Sequence, residues 1–87
     1  MIRSLVGRVE LSNLEEISVI VENSEVFIER QNDYGDHVAD LTLSVVSFST
    51  EEIPLPIILT IADEINLDTQ LAMELVEHIY DMVQIIL

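Results

Sequence analysis

The chain predicts an α+β domain: an antiparallel sheet of about four strands in the N-terminal half, followed by two C-terminal helices, the last packing on one face of the sheet. Three observations predict this. Apolar and polar residues alternate with period two as far as about Phe48, the apolar spacing changes to threes and fours after Ser49, and 87 residues leave room for a single domain over 1–87.

Residues 2–11 form the first alternating run, with Leu5, Val9 and Leu11 on one side and Val6, Arg8 and Glu10 on the other. Ser12-Asn13-Leu14-Glu15-Glu16 breaks it, and Ser12 and Glu15 have the spacing of a capping box, which suits a single helical turn. Ile17 to Glu22 and Glu25 to Arg30 are two β-rich runs separated by Asn23-Ser24, so they read as a hairpin with a two-residue loop. That loop pairs Glu22 with Glu25, Val21 with Val26, Ile20 with Phe27, Val19 with Ile28, Ser18 with Glu29 and Ile17 with Arg30. Paired residues share a face, so Val19, Val21, Val26 and Ile28 make a core face. Ser18, Ile20, Glu22, Glu25, Phe27 and Glu29 make an acidic face with apolar spots.

Gln31 to Asp36 is a polar loop, with Gly35 free to adopt a positive φ. A fourth strand over about Val38 to Phe48 would turn Ala39, Leu41, Leu43 and Val45 inward and Asp40, Thr42, Ser44, Val46 and Phe48 outward. Ser49-Thr50-Glu51-Glu52 is rich in capping residues, and Pro54 and Pro56 suit a first helical turn. Ile57, Ile58, Ile61 and Ile65 then follow a helical stripe as far as Asn66. The same segment also alternates as Ile53, Leu55, Ile57, Leu59 and Ile61, the pattern of an edge strand carrying prolines. Ala62-Asp63-Glu64 is poor strand material and favours the helix. Asp68 or Thr69 can cap the last helix, whose polar residues Gln70, Glu74, Glu77, Asp81 and Gln84 form one narrow stripe. The remaining apolar surface is wider than one sheet face can cover, so a second helix or a second subunit is required. Met73, Tyr80 and Leu87 share a heptad-spaced edge and are the candidate self-association residues.

Charge limits the function classes. Seventeen acidic residues stand against three arginines and no lysine, a formal net charge of −14. Direct nucleic-acid binding needs Lys and Arg to displace counterions from phosphate, and this chain would be repelled. An anionic membrane surface is disfavoured for the same reason. A hydrophobic fraction of 49% argues against disorder despite the charge. The absence of cysteine excludes disulfides and thiolate metal sites. The N-terminal apolar run breaks at Gly7-Arg8, unlike a secretory leader, and no stretch is long enough to span a bilayer, so an intracellular, cytoplasmic location is expected.

Few constellations could carry chemistry. Asp33, Asp36, His37 and Asp40 could in principle hold a divalent ion, but acids at alternate positions followed by glycine are absent, and a solvated acidic loop is the expectation. Ile61 to Asp68 has the small and turn residues of a helix-turn-helix, yet the helix that would read DNA carries Glu74, Glu77 and Asp81 and no cation. His78 follows Glu74 by one turn and fits a surface contact. No phosphate loop, nucleophile elbow or zinc motif occurs, so no enzyme, cofactor or metal is expected.

What remains is the charge. Like charges opposed on a hairpin and along a helix cost stability in a small domain, which suggests that they have a use. In size and charge, though in no motif, the chain is similar to small phage-encoded inhibitors of nucleic-acid enzymes. The expected function is therefore an acidic, non-enzymatic protein that binds and inhibits a basic, nucleic-acid-processing protein by imitating phosphate. Glu22, Glu25, Glu29, Asp33, Asp36 and Asp40 would supply charge, and Ile20 and Phe27, with Val46 and Phe48, would supply contact area. The alternatives are an immunity protein or antitoxin against a basic nuclease, and a self-associating assembly subunit (a homodimer) whose acidity serves solubility.

Overall fold

The computed structural model describes residues 4–86. Four strands, β1 (Ser4–Glu10), β2 (Glu16–Glu22), β3 (Glu25–Gln31) and β4 (His37–Ser44), form an antiparallel meander in the order β1-β2-β3-β4. A 3-10 turn at Val45–Phe48 leads to α1 (Leu55–Glu64) and α2 (Thr69–Ile86). This is the α+β architecture expected from the change of period.

The central hairpin adopts the register that a two-residue loop dictates, from Glu22 opposite Glu25 to Ile17 opposite Arg30. Asn23 and Ser24 have φ of 52° and 66°. Both values are positive, as a type I′ turn requires, and the twist of that turn matches the twist of the strands. β1 extends the pattern by pairing Val6 with Ile20 and Gly7 with Val19. β4 pairs Leu43 with Val26 and Asp40 with Glu29, until an irregularity at Arg30 and Gln31.

One face of the sheet is dry. Val9, Ile17, Val19, Val21, Val26 and Ile28 are buried there beneath Ile58, Ile61, Ala72, Leu75, Val76, Ile79 and Val83 of the helices. The second helix that the wide apolar surface of α2 called for is α1, which packs against it. Gly7 marks where α2 comes close to the edge strand. A Cβ on this residue would lie 3.3 Å from Cε of Met82.

Two connections depart from the sequence reading. Phe48 is fully buried, not outward on the sheet. β4 stops at Ser44, whose Oγ accepts from the Val46 N–H at 3.2 Å, and the following 3-10 turn changes the direction of the chain. In that turn Val45 and Phe48 go inward together, whereas strict alternation would send Phe48 out with Val46. The second departure is at Ser12. Instead of a capped helical turn, the chain makes a tight loop, with Leu14 N–H donating to Leu11 C=O (2.9 Å) and Leu11 N–H to Glu15 C=O (2.8 Å).

The proline-containing segment is helical. Pro54 is the N-cap of α1, and its C=O accepts from Ile57 N–H at 3.0 Å, while Ser49–Glu52 provides no side-chain cap. The helix ends with Asn66 at φ 56° and a Leu67 N–H donating to Ala62 C=O (2.9 Å), a Schellman closure. Asp68 caps α2 through Oδ1, which accepts from Gln70 N–H at 2.8 Å.

Two polar clips join the layers. Arg30 leaves β3 to donate from Nε to Glu15 (2.6 Å) and from Nη1 to the C=O groups of Ile65 (3.0 Å) and Asn66. A guanidinium at the carbonyl end of α1 also complements the helix dipole. The same β1–β2 loop is tied to α2, where Glu74 accepts from Ser12 Oγ (2.6 Å) and Ser12 N–H (2.9 Å). These bonds, with a smaller electrostatic contribution from His78, hold the Glu74 carboxyl below the ordinary glutamate range.

Candidate functional site: the open face of the sheet

The face of the sheet turned away from the helices follows from the register. Val6, Ile20, Phe27 and Thr42 stand opposite one another on β1 to β4, a cross-strand row that is apolar over its first three members. Val6 is 70% exposed, and Ile20 and Phe27 are half-buried against their neighbours. On one side of this row lie Ser4, Glu22, Glu25 and Ser44; on the other lie Arg8, Ser18, Glu29 and Asp40. The sheet thus presents an apolar bar between two rows that hold four carboxylates and a single cation, Arg8. That cation pairs loosely with Glu16 (3.4 Å) at the far end of the face.

Glu22 and Glu25 are direct cross-strand partners, as are Glu29 and Asp40. Neutral or titratable donors soften the repulsion without cancelling the charge. Asn23 Nδ2 donates to Glu22 (3.4 Å), Gln31 Nε2 donates to Glu29 (3.1 Å), and His37 Nε2 lies 2.7 Å from Asp40. Asp33 and Asp36 sit beyond the ends of β3 and β4 in a loop closed by the backbone and side chain of Asn32. Asn32 Oδ1 accepts from both Tyr34 N–H and Asp36 N–H at 2.9 Å, and Gly35 takes φ 82°. Among the described residues, no group of three or more histidine or acidic side chains is placed to hold a metal ion.

The structure therefore brings Glu22, Glu25, Ile20 and Phe27 together at one end of the face, continues through Glu29 and Asp40, and sets Asp33 and Asp36 at the loop tip. Two further residues belong with them. Val6 completes the apolar bar, a membership visible only once β1 is registered on β2. Tyr34 is 90% exposed between the two loop aspartates. Its signal in the sequence was an aromatic ring in a loop with no apolar neighbour to cover it. Phe48 is removed from the set because it is core, while Val46 remains outside at 72% exposure.

Acidity is not confined to this face. Glu51, Glu52, Asp63, Glu64, Asp68, Glu74, Glu77 and Asp81 all lie in the helical layer or its approaches. The α1–turn–α2 unit exposes Glu77 and Asp81 on the helix that would enter a DNA groove. Of the helix-edge residues, Met73 is 43% exposed and Tyr80 is half-buried, while Leu87 lies outside the described residues. No helix among the described residues is long and apolar enough to cross a membrane. Compared with known protein families, curated proteins and solved structures, the chain matches none.

Proposed function

We propose that this chain is a non-enzymatic binding protein that docks the open face of its sheet on a basic surface of another protein, occupying a site that otherwise receives nucleic-acid phosphate. The observation that carries this reading is the Val6–Ile20–Phe27 bar bracketed by Glu22 and Glu25 on one side and Glu29 and Asp40 on the other. Because both layers are acidic, net charge alone selects no face. The apolar bar does, since charge steers encounter while buried apolar and aromatic groups hold the complex. Fixed strands also place the carboxylates at set spacings before binding, so little ordering is needed when they meet arginines and lysines. Inhibition of a nucleic-acid-processing enzyme and neutralisation of a basic nuclease would use this face in the same way and differ only in the partner.

The test is affinity capture from host extract at low salt, with wild type beside Glu22→Gln/Glu25→Gln and Ile20→Ala/Phe27→Ala. A basic protein should be retained by the wild type, lost from both variants, and released as salt rises from ~50 to ~500 mM, since screening shortens the reach of the charges. A partner held equally at both salts, or equally by both variants, removes this function.

A further inference from the structure

The sheet has two edges, and β1 is the one flanked by α2. The hairpin fixes which backbone groups it leaves open. Residues flanking a two-residue turn exchange hydrogen bonds, so Glu22, Ile20 and Ser18 point their N–H and C=O groups at β3. Val21, Val19 and Ile17 then point theirs at β1, where they meet Leu5, Gly7 and Val9. Leu11 N–H donating to Glu15 C=O continues the same alternation beyond the strand end. Ser4, Val6, Arg8 and Glu10 are left with backbone groups directed away from the sheet. The next in that series, Ser12 N–H, is already occupied by the Glu74 carboxylate.

This edge has little of the usual protection against strand pairing. β1 is seven residues long, with no proline and no register irregularity in its pairing with β2. Beside it runs a groove floored by Gly7 and Met82 and flanked by His78, Asp81 and Ile85 of α2, the last 72% exposed. Its charge differs from the rest of the molecule. Among the described residues Arg30 is committed to Glu15 and the end of α1, and His37 lies on Asp40. Arg8 and His78 both line this groove with Glu10 of the strand and Asp81 of the helix, and among the described residues Arg8 is held only by its exposed 3.4 Å contact with Glu16. An isologous contact needs a patch complementary to itself, so where such a patch is charged it must carry both signs. A purely acidic face cannot meet its own copy, and this groove can.

We infer that the β1 edge is a self-association surface, where a second copy of this chain pairs antiparallel to join two four-stranded sheets into one of eight. The two-fold axis passes at Val9, so the new ladder spans Arg8 to Glu10 of each copy and stops where Val6 would meet Ser12, whose N–H stays with Glu74. There Arg8 of one copy stands opposite Glu10 of the other, using only outward backbone groups. An axis at Arg8 would oppose two arginines, and an axis at Val6 or Gly7 sets no carboxylate of the other copy opposite Arg8, whose contact within its own copy is the loose, exposed one to Glu16 (3.4 Å). The α2 flanks meet beside the strands, covering Ile85 and bringing His78 towards Asp81 of the other copy. Met73 and Tyr80 project from the opposite flank of α2, at 100° per residue, and take no part.

Sedimentation equilibrium of the pure chain tests this. At about 100 µM and moderate salt the mass should be twice 9.9 kDa. It should shift further to dimer as salt rises, because screening relieves the repulsion between two copies of charge −14. That trend is opposite to the one expected for the basic partner on the open face, so the two proposals fail separately. Arg8→Glu and Glu10→Arg should each weaken the dimer by about tenfold or more, and the double exchange should restore it. Arg8→Pro removes an outward N–H without touching the β2 pairing and should give a monomer, with circular dichroism reporting an intact fold. A monomer for the wild type at every salt, no rescue in the double exchange, or a dimer that survives Arg8→Pro overturns the inference.

Discussion

Phe48 and Phe27 are the two phenylalanines of the chain, and the structure assigns them opposite environments. Phe48 is wholly buried where the 3-10 turn meets α2, while Phe27 sits half-buried on the open face beside Ile20. Truncating a buried phenylalanine to alanine costs about 3–5 kcal/mol, through lost transfer energy and the cavity left behind. A domain of this length has about 4–13 kcal/mol in total, at about 0.05–0.15 kcal/mol per residue. Phe48→Ala should therefore remove a large share of that stability, and nearly all of it at the low end of the range. Phe48→Leu, which loses only part of the ring volume, should cost about 1–2 kcal/mol and remain measurable. Phe27→Ala forfeits a cross-strand contact worth about 0.2–1 kcal/mol and should shift the transition several times less than Phe48→Ala. Urea unfolding followed by circular dichroism gives both quantities, provided the slopes agree between variants. In thermal terms each kcal/mol moves Tm by about 4–8 °C for a domain this small. Equal costs at the two positions, or a larger cost at Phe27, would mean that β4 runs on through Phe48 and that the burial derived above is wrong.

Further expectations concern the clips between the layers and the charge. Arg30→Met keeps the stem and removes the guanidinium, leaving Glu15 and the last carbonyls of α1 without their donor. A loss of about 1.5–3 kcal/mol in urea unfolding is expected, nearer the lower end because the pair is partly open to water. Glu74→Gln should destabilise at neutral pH and cease to matter in acid. The folded carboxyl titrates below its ordinary value, so its contribution is full above the unfolded value and is lost as pH falls through the folded one. Wild type and Glu74→Gln melting curves should converge at the acid end, and a constant gap across pH would refute the charge-dependent clip. The acidic face predicts that added salt raises the wild-type Tm as screening relieves Glu22 against Glu25, and a Tm indifferent to salt would mean that the repulsion is already compensated.

By itself the sequence determined what is set by local spacing. Period two located the strands, Asn23-Ser24 set the hairpin register, and the apolar excess of the last helix required a second covering element, which is α1. The same register predicted that Ile20, Glu22, Glu25, Phe27 and Glu29 share a face, because side-chain direction in a strand depends on nothing but residue parity. Parity fails wherever the backbone leaves the strand, and for that reason Phe48 was misplaced. One turn of 3-10 helix changes the direction of every side chain after it, and Ser44 gave no sign of capping that turn until its partner, Val46 N–H, was in place. The tie between strand and helix at Ile53 to Ile61 is of the same kind. Both periods fit the isoleucines, and burial of Ile58, Ile61 and Ile65 against α2 and the sheet decides between them. Contacts far apart in sequence, such as Ser12 with Glu74 and Arg30 with Asn66, were decided by tertiary structure alone, as was the joining of Val6 to the apolar bar. Each depends on which element lies beside which, and no local pattern of residues records that.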